Sequence, residues 1–315
     1  MGISLKVKIG KLQLNNPVMV ASGTFGYAEE FKDLIDLKKL GAIVTKTITL
    51  KPRAGNPPPR TCETPAGLLN SIGLENPGIE RFLQEKLPFL KKTGAPIIVS
   101  IASERDTDEF ITLARRLDKI KEISAIELNI SCPNIKSQQK NHRPSTIDHR
   151  LISQDAQATF EVVKAARKVT QKTLITKLSP NVTDITEIAQ AAQDAGTNAL
   201  ALINTLMGMS IDVNARRPKI AMGIAGLSGP AIRPVALRMV WEVYKKVKIP
   251  IIGMGGIMDT QSALEFFIAG ASAIAVGTAN FINPRTTIEI ISGLEKYLAR
   301  NKIKDIKELI GSLKI

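Results

Sequence analysis

One stretch of the chain decides its fold: residues 125–134, Ala-Ile-Glu-Leu-Asn-Ile-Ser-Cys-Pro-Asn. Its first seven residues alternate with the period of a β-strand, so the aliphatic side chains share one face while Glu127, Asn129 and Ser131 share the other. Such a polar face needs partners, because buried amides and carboxylates are nearly always hydrogen-bonded. The strand then turns at Pro133, which is typical of a site built at the carboxyl end of a strand.

Cys132 follows this strand, and its neighbours decide how it is interpreted. An arbitrary lone cysteine is most often buried and acts as a small hydrophobe. Here Asn129 and Asn134 stand three and two residues from the thiol. They supply the uncharged donors and acceptors that recognition of a planar polar ligand requires. We therefore predict that Cys132 lies at the rim of a ligand site.

Length and composition are those of an ordinary globular protein. At 315 residues the chain is near the upper size for one hydrophobic core, and we predict a single domain over residues 1–315. Charged residues make up 23% and aromatic residues only 4%, which argues against disorder and against a single-strand nucleic-acid binder. The net charge of +14 is scattered, so a solvated basic surface is the first interpretation. Attraction of anionic metabolites or an acidic protein comes next, and nucleic acid comes last.

Cysteine content and hydropathy argue against several other classes. The two cysteines, Cys62 and Cys132, have no C-x-x-C spacing, which disfavours a disulfide framework, a zinc site and an iron–sulfur site. No apolar run approaches the ~18 residues of a membrane span, and the first residues lack the pattern of a signal peptide. We predict a cytoplasmic protein without a metal site and without a membrane partner.

Short apolar runs, rich in β-branched residues, alternate with helical patterns along the whole chain. Several helices begin at capping residues and end at glycine. We predict eight strands, over residues 17–21, 42–49, 96–102, 125–131, 174–179, 199–206, 249–255 and 273–279. We predict helices over residues 29–40, 78–91, 106–120, 154–170, 184–195, 231–247 and 260–269, and two final helices over 286–302 and 305–313.

This alternation predicts an α/β fold, because eight strand–helix units with parallel crossovers close into a (β/α)8 TIM barrel. Alternation in residues 3–14 around a glycine turn predicts a β-hairpin before the barrel. Extra residues follow the second, fourth and sixth strands, at 50–77, 133–153 and 207–230. We expect these insertions to rise from the carboxyl-end face, where barrel enzymes build their sites.

Glycines cluster after the seventh and eighth strands, in Gly253-Met254-Gly255-Gly256 and Gly277-Thr278. Glycine lets backbone N–H groups approach an anion, and these two loops form the usual phosphate site of this fold. The pattern lacks the G-x-G-x-x-G of a dinucleotide site, so a phosphate-bearing cofactor such as FMN fits better than NAD. Tight turns alone are the alternative explanation.

Two lysines, Lys46 and Lys177, fall inside predicted strands. A charged side chain in a strand is costly unless it is paired or contacts a ligand. Strand parity points both lysines and Glu127 into the barrel, so a Glu127–Lys177 ion pair is the structural alternative. The functional hypothesis places one cation beside an electron-rich isoalloxazine edge and the other beside a substrate carboxylate.

These features occur in order over nearly the whole chain, and together they resemble the dihydroorotate dehydrogenase family. Residues 204–212 and 270–281 are most similar to its class 1B, NAD-linked catalytic subunit. The resemblance rests on Ala21-Ser22-Gly23-Thr24-Phe25-Gly26, Thr45-Lys46-Thr47, residues 70–76 (Asn-Ser-Ile-Gly-Leu-Glu-Asn), residues 129–134, Asn204-Thr205, Gly226-Leu227-Ser228-Gly229, and residues 253–278.

The resemblance implies a flavoenzyme that oxidises (S)-dihydroorotate to orotate in de novo pyrimidine (UMP) synthesis. Cys132 would be the general base for the C5 proton, and FMN would accept the hydride from C6. The implied FMN-binding residues are Ser22, Lys46, Thr47, Ser100, Asn129, Lys177, Ile203, Gly229, Gly255, Gly256, Gly277 and Thr278. The implied contacts to dihydroorotate or orotate come from Lys46, Asn70, Ser71, Ile72, Gly73, Leu74, Asn129, Asn204 and Thr205.

Two positions depart from the family pattern. Ser100 stands where the family usually has an asparagine near the flavin. Residues 137–149, rich in Gln, Lys, Arg and His, replace a stretch that is usually rich in glycine. Because this segment directly follows the predicted base and is too polar to pack as core, we predict that it forms a mobile lid.

The resemblance also implies a homodimeric core and a second subunit that carries FAD and a [2Fe-2S] cluster. In that heterotetramer the electrons pass on to NAD. A class 1A homodimer that is reoxidised by fumarate is the first alternative. A tRNA dihydrouridine synthase is less favoured, because the orotate-type loop at residues 70–76 is present and no RNA-binding domain is apparent. A non-catalytic barrel subunit is favoured only by the altered residues 137–149.

Overall fold

A closed barrel of eight parallel strands forms the centre of the molecule. The computed structural model describes residues 2–103, 107–130 and 152–314. The barrel strands pair in chain order, and the sixth strand pairs with both the fifth and the seventh. This confirms the predicted (β/α)8 barrel. The strands are Val18–Val20, Ala42–Val44, Ile97–Ile101, Ile123–Asn129, Thr173–Lys177, Ala199–Leu202, Ile251–Gly253 and Ala273–Val276.

Helices cover the outside of the barrel between successive strands. Asp155, Asp184 and Asp259 each precede a helix and accept a hydrogen bond from a backbone N–H of its first turn. The α-helices are Thr107–Asp118, Ala156–Val169, Ile185–Asp194, Arg233–Lys246, Thr260–Ala269 and Thr286–Arg300, with short ones at Gly78–Arg81, Leu87–Leu90 and Ala279–Ile282. Single 3-10 turns occur at Glu29–Phe31, Leu37–Lys39, Ile152–Gln154, Pro230–Ile232 and Ile306–Leu309.

The predicted helix over residues 29–40 is wrong. Only the two 3-10 turns Glu29–Phe31 and Leu37–Lys39 form there. Asp36 takes an extended conformation, with φ −75° and ψ 98°, and its side chain accepts a hydrogen bond from the Lys38 N–H. Aspartate can compete in this way for backbone donors, so the segment starts a second turn instead of continuing the first.

The last predicted helix, over residues 305–313, is also wrong beyond the single turn Ile306–Leu309. The backbone here bonds to the start of the chain. The Ile306 N–H donates to the Ser4 carbonyl at 3.0 Å, and the Ser4 N–H donates to the Lys304 carbonyl at 2.9 Å. The residues that would continue the helix donate elsewhere: the Gly311 N–H to the Phe267 carbonyl at 3.0 Å, and the Leu313 N–H to the Ile268 carbonyl at 3.3 Å. These long-range hydrogen bonds replace the local ones that a longer helix would make.

The helix predicted at residues 78–91 contains a widened turn. The Phe82–Lys86 segment is a π-helix, in which the Leu87 N–H donates to the Phe82 carbonyl five residues back. Pro88 follows and has no N–H of its own, so the regular ladder of helical hydrogen bonds is interrupted at this point in any case.

Within the described ranges, no helix combines the length and apolar character that crossing a membrane requires.

The predicted hairpin forms from Val7–Ile9 and Leu12–Leu14, which pair antiparallel. It lies against the amino-terminal end of the barrel, because the Lys11 N–H donates to Thr173 Oγ1 at the start of the fifth strand, at 2.9 Å. The opposite, carboxyl-end face is thereby left to the insertions.

The insertions that follow the second and the sixth barrel strands join in one antiparallel sheet of four strands, which we call the roof sheet. The insertion after the second barrel strand contributes Thr61–Thr64 and Gly67–Asn70, and the insertion after the sixth contributes Leu206–Gly208 and Ala225–Ser228. The contact between the two insertions is the pairing of Leu69 with Leu227 and its neighbours. A two-stranded ribbon, Ile211–Asp212 with Arg217–Pro218, extends from the sheet. The sequence predicted the position of these insertions but not their pairing.

Candidate active site

A cavity of about 340 Å³ lies between the carboxyl ends of the barrel strands and the roof sheet. This volume is within the range of roughly 300–1,000 Å³ that small-molecule sites occupy. Most of the predicted site residues line it: Ser22, Lys46, Thr47, Asn70, Ile72, Gly73, Leu74, Asn129, Lys177, Ile203, Asn204, Thr205, Gly229, Gly255, Gly256, Gly277 and Thr278.

Two predicted residues that the structure describes, Ser71 and Ser100, are not part of this wall. Ser71 is buried behind it, where the Asn56 Nδ2 donates to its hydroxyl at 2.8 Å. Ser100 is also buried, and its hydroxyl lies 2.9 Å from that of Thr47, which does line the cavity. Cys132 lies outside the described residues, and so does the predicted lid at residues 137–149.

Lys46 and Lys177 bring two positive charges to one cavity. Lys177 is only 5% exposed, and among the described residues neither lysine forms an ion pair with a carboxylate. The alternative Glu127–Lys177 pair is not formed. Glu127 is in register with Ile175, two residues before Lys177, whereas Lys177 is in register with Asn129. One carboxylate oxygen of the buried Glu127 has no hydrogen-bond partner in the described chain. Glu75 also lines the cavity, but its carboxylate forms an ion pair with Arg60. The two lysines therefore leave the cavity with an excess of positive charge, which suits an anionic or electron-rich ligand.

A cluster of hydroxyl groups surrounds the buried Thr47. Its Oγ1 lies 3.0 Å from Ser22 Oγ and 2.9 Å from Ser100 Oγ. The Asn129 Nδ2 donates to the same oxygen at 3.1 Å. These hydrogen bonds connect the first four barrel strands near their carboxyl ends, and they fix the orientation of the Asn129 amide.

Tight packing holds Asn70 and Thr205 on the roof side of the cavity. The Asn70 Nδ2 donates to the Gly226 carbonyl at 3.4 Å. Gly226 permits the approach of Thr205, because a Cβ at that position would lie 2.2 Å from Thr205 Oγ1. Asn181 supports the same segment: its Nδ2 donates to the Thr205 carbonyl at 3.0 Å, and its Oδ1 accepts from the Met207 N–H at 2.9 Å.

The segment from Ile72 to Leu74 is held by Asn76, which is itself buried. Asn76 Nδ2 donates to the Leu74 carbonyl at 2.7 Å, and Asn76 Oδ1 accepts from the Thr49 N–H at 3.1 Å. Gly73 and Leu74 both have positive φ, at 74° and 56°. The side chain of Asn76 thus connects this left-handed turn to Thr49, in the segment that follows the second barrel strand.

The fold requires glycine at one of the positions after the seventh and eighth strands but not at another. Gly256 has φ 74°, and a Cβ there would lie 2.7 Å from Arg233 Cβ and 2.9 Å from the Gly229 carbonyl, so the fold itself requires glycine. At Gly277 φ is not positive, and a Cβ would come no closer than 3.7 Å to Ala21 Cβ. The protein has room for a side chain at Gly277, and its absence leaves open space in the cavity wall. This is the cradle that a phosphate needs.

A second pocket adjoins the cavity and shares Lys46 and Glu75 with it. Tyr27 forms part of its wall. Burial, together with the nearby Glu30 carboxylate, raises the pKa of the Tyr27 phenol far above its usual value. Tyr27 therefore stays neutral at physiological pH and adds no charge beside Lys46.

Comparison with known proteins agrees with this geometry. A family model described as dihydroorotate dehydrogenase matches residues 4–298. The chain belongs to the dihydroorotate dehydrogenase family. Curated relatives are similar over their full length, and they are named dihydroorotate dehydrogenase B (NAD(+)), catalytic subunit. The protein of Trichlorobacter lovleyi is 54% identical over 310 residues, 98% of each chain. That of Thermoanaerobacter pseudethanolicus is 52% identical over 313 residues, 99% of this chain and 100% of the relative. The resemblance predicted from the motifs is thus confirmed.

Several cavity residues of this dihydroorotate dehydrogenase family member were missed by sequence reasoning: Thr24, Thr61, Leu68, Ser228, Met254, Met258 and Phe281. Ser228 stands inside the quoted Gly226–Gly229 motif, and it accepts a hydrogen bond from Thr278 Oγ1 at 2.8 Å. Thr61 and Leu68 line the cavity only because the roof sheet places them there. Thr61 and Thr64 are β-branched, and this preference is the one local signal for that strand in the sequence.

Proposed function

We propose that this chain is the FMN-dependent catalytic subunit of a dihydroorotate dehydrogenase. It would oxidise (S)-dihydroorotate to orotate in de novo pyrimidine (UMP) synthesis. The proposal depends on the side chains that one cavity brings together. Lys46 and Lys177 line it and have no carboxylate partners in the described chain. The amides of Asn70, Asn129 and Asn204 line the same cavity. Cations and amides together suit a planar pyrimidine that bears a carboxylate.

The donor set is compatible with FMN. The open space at Gly277, beside Gly255, Gly256, Gly229 and Thr278, would take its phosphate. Ser22, Lys46, Asn129, Lys177 and Ile203 would surround the ring system, with Thr47 and Ser100 behind Ser22. FMN, when bound, supplies the acceptor for the hydride that leaves C6 of dihydroorotate.

Dihydroorotate would bind against the roof side of the cavity. Lys46 supplies a positive charge for its carboxylate, and Asn70, Asn129 and Asn204 supply hydrogen-bond donors and acceptors for its ring. Ile72, Gly73, Leu74 and Thr205 close the same wall. Ser71, which is buried behind the wall, would support the loop through Asn56 rather than contact the substrate. Such a fixed set of donors orients the ring before the reaction begins.

We assign the general base to Cys132 from the sequence. It follows Asn129, the last residue of the fourth barrel strand and part of the cavity wall, by three residues. A thiolate can remove the C5 proton, and a thiol titrates near ~8.5, close enough to neutral pH for such work. The proton would move to the sulfur while the hydride leaves C6.

Electrons must leave the enzyme after each turnover. We propose that a second subunit with FAD and a [2Fe-2S] cluster passes them to NAD, in a cytoplasmic heterotetramer around a catalytic homodimer. The names of the relatives, each a catalytic subunit of a dihydroorotate dehydrogenase B (NAD(+)), support this partner. We further propose that residues 1–315 form one FMN-binding domain.

The test begins with the purified chain. Denaturation should release one FMN per chain, and dihydroorotate should bleach the flavin absorbance anaerobically. Release of FAD, or flavin that only NADPH and tRNA can turn over, would reject the proposal. The electron acceptor is tested next: NAD reduction should require the added partner subunit. Efficient turnover with fumarate and no partner would instead identify a class 1A enzyme.

A further inference from the structure

The hydroxyl of Thr47 has as many hydrogen-bond neighbours as a hydroxyl can serve. Asn129 Nδ2, Ser22 Oγ and Ser100 Oγ all lie within 3.1 Å of it. A hydroxyl oxygen accepts twice and donates once. The amide nitrogen of Asn129 can only donate, so it occupies one acceptor position of Thr47. One donation and one acceptance are left, and the two serines must therefore take opposite roles.

Burial decides which serine donates to Thr47. Ser100 is fully buried, and within the described chain its hydroxyl has only Thr47 as a partner. If Ser100 accepted from Thr47, its own O–H would be buried without an acceptor, which proteins avoid. Ser22 is only partly buried and lines the cavity, so its hydrogen can point there. The hydrogen bonds therefore run from Ser100 to Thr47 and from Thr47 to Ser22.

We propose that Ser100 is a positioning residue that orders these three hydroxyls, so that Ser22 presents its O–H to the cavity ligand. Ser22 then selects a hydrogen-bond acceptor, such as a ring nitrogen or a carbonyl oxygen. Thr47 uses its whole hydroxyl within the protein and holds no ligand with it. This inference rests on the proposed function only in taking the ligand to be FMN.

The test is a double-mutant cycle on the apoprotein, with FMN affinity measured by quenching of flavin fluorescence. Ser22→Ala and Ser100→Ala should each weaken FMN binding by about 2-fold to 10-fold, the value of one hydrogen bond. The double variant should bind FMN no more weakly than Ser22→Ala alone, because Ser100 acts only through Ser22. Ser100→Thr keeps the donor and should restore the wild-type Kd.

The matched control is Thr176→Val. Thr176 is also a fully buried hydroxyl on a barrel strand, bonded to Thr197 Oγ1 at 3.0 Å, but it does not line the cavity. Its replacement should leave FMN affinity unchanged. Thermal melting of each apoprotein records any purely structural effect separately.

Three results would overturn the proposal. The first is a double variant whose loss is the product of the two single losses, since independent groups contribute multiplicatively. The second is a Ser100→Ala protein with the wild-type Kd, whether or not its melting temperature falls. The third is Ser100→Thr with the affinity of Ser100→Ala. A wild-type chain that binds no FMN would reject the proposed function as well, which distinguishes the two failures.

Discussion

Replacing Lys177 by methionine tests the central electrostatic feature of the cavity. Lys177 is 5% exposed and has no carboxylate partner among the described residues, so its charge is buried without compensation. Replacement of buried ionic groups by apolar side chains of similar size stabilises proteins by up to about 1–4 kcal/mol. At about 2–4 °C per kcal/mol, a gain of about 1–4 kcal/mol would raise the melting temperature of the apoprotein by roughly 2–16 °C.

The same change should weaken ligand binding. A hydrogen bond from a charged group contributes about 1.5–3 kcal/mol, which corresponds to roughly a 10-fold to 150-fold loss of affinity. We expect this loss for FMN, measured by fluorescence titration of the apoprotein. The Lys177→Met protein would thus be more stable without ligand and less able to bind it.

The sign of the stability change discriminates between two structures. If Lys177 were paired with Glu127, its removal would leave an unpaired buried carboxylate and would cost about 3–5 kcal/mol. That cost corresponds to a fall of the apoprotein melting temperature by roughly 6–20 °C. Such a fall, with FMN affinity unchanged, would refute the reasoning. Lys168→Met is the control, because Lys168 is an exposed lysine on the helix Ala156–Val169 and should change neither quantity.

Three further predictions concern the cofactor, the base and the substrate. Gly277→Ala should melt like the wild type, because its Cβ meets no atom closer than 3.7 Å, yet bind FMN more weakly; Gly256→Ala, whose Cβ would meet Arg233 at 2.7 Å, should lower the melting temperature instead. An alanine variant at Gly277 with undiminished FMN affinity would remove the phosphate from this loop. Cys132→Ser should keep FMN and orotate binding but lose about 100-fold to 10,000-fold in turnover, and wild-type turnover should rise with pH as the thiol deprotonates; equal rates for the two proteins would exclude Cys132 as the base. Lys140 and Arg143 belong to the predicted lid, and Arg150 directly follows it. If these basic side chains attract the anionic substrate, neutralising all three should slow substrate capture more at low salt than at high salt, and a deficit independent of salt would contradict electrostatic steering.

Local sequence signals were sufficient wherever the determining contacts are themselves local. The helix Thr260–Ala269 has the predicted bounds, because Asp259 caps its start and Gly270, with φ 121°, ends it. The helix predicted over residues 29–40 was wrong because the sequence does not show which group an aspartate side chain will bond. The Asp36 side chain accepts a hydrogen bond from the Lys38 N–H and thereby starts a new turn. The helix predicted over residues 305–313 was wrong because the N–H groups of Gly311 and Leu313 donate to the carbonyls of Phe267 and Ile268, about 45 positions earlier in the chain.

The candidate site shows the same division. Asn129, Lys177 and Asn204 were predictable because parallel topology brings the carboxyl ends of all eight strands to one face. Ser71 and Ser100 are buried behind the cavity wall, and the sequence did not predict this. Their orientation depends on packing against other elements, which the residue pattern of a single strand does not reveal. Asn181 was not predicted at all, because its function is to bond the backbone of residues 205 and 207, a contact between two different loops.

The roof sheet has a consequence for the order in which the molecule assembles. Its central pairing joins Asn70 to Gly226, and the two residues are 156 positions apart in the chain. During synthesis, the hairpin Thr61–Thr64 and Gly67–Asn70 leaves the ribosome long before its partner strand, and the outer edge of Gly67–Asn70 stays unpaired until then. Contacts of such long range form late, since the chain must first close a large loop. Amides of residues 67–70 should therefore gain protection later than those of the barrel's first strands in pulsed hydrogen exchange. A nascent chain that ends before residue 225 would have most of a barrel and no enclosed cavity.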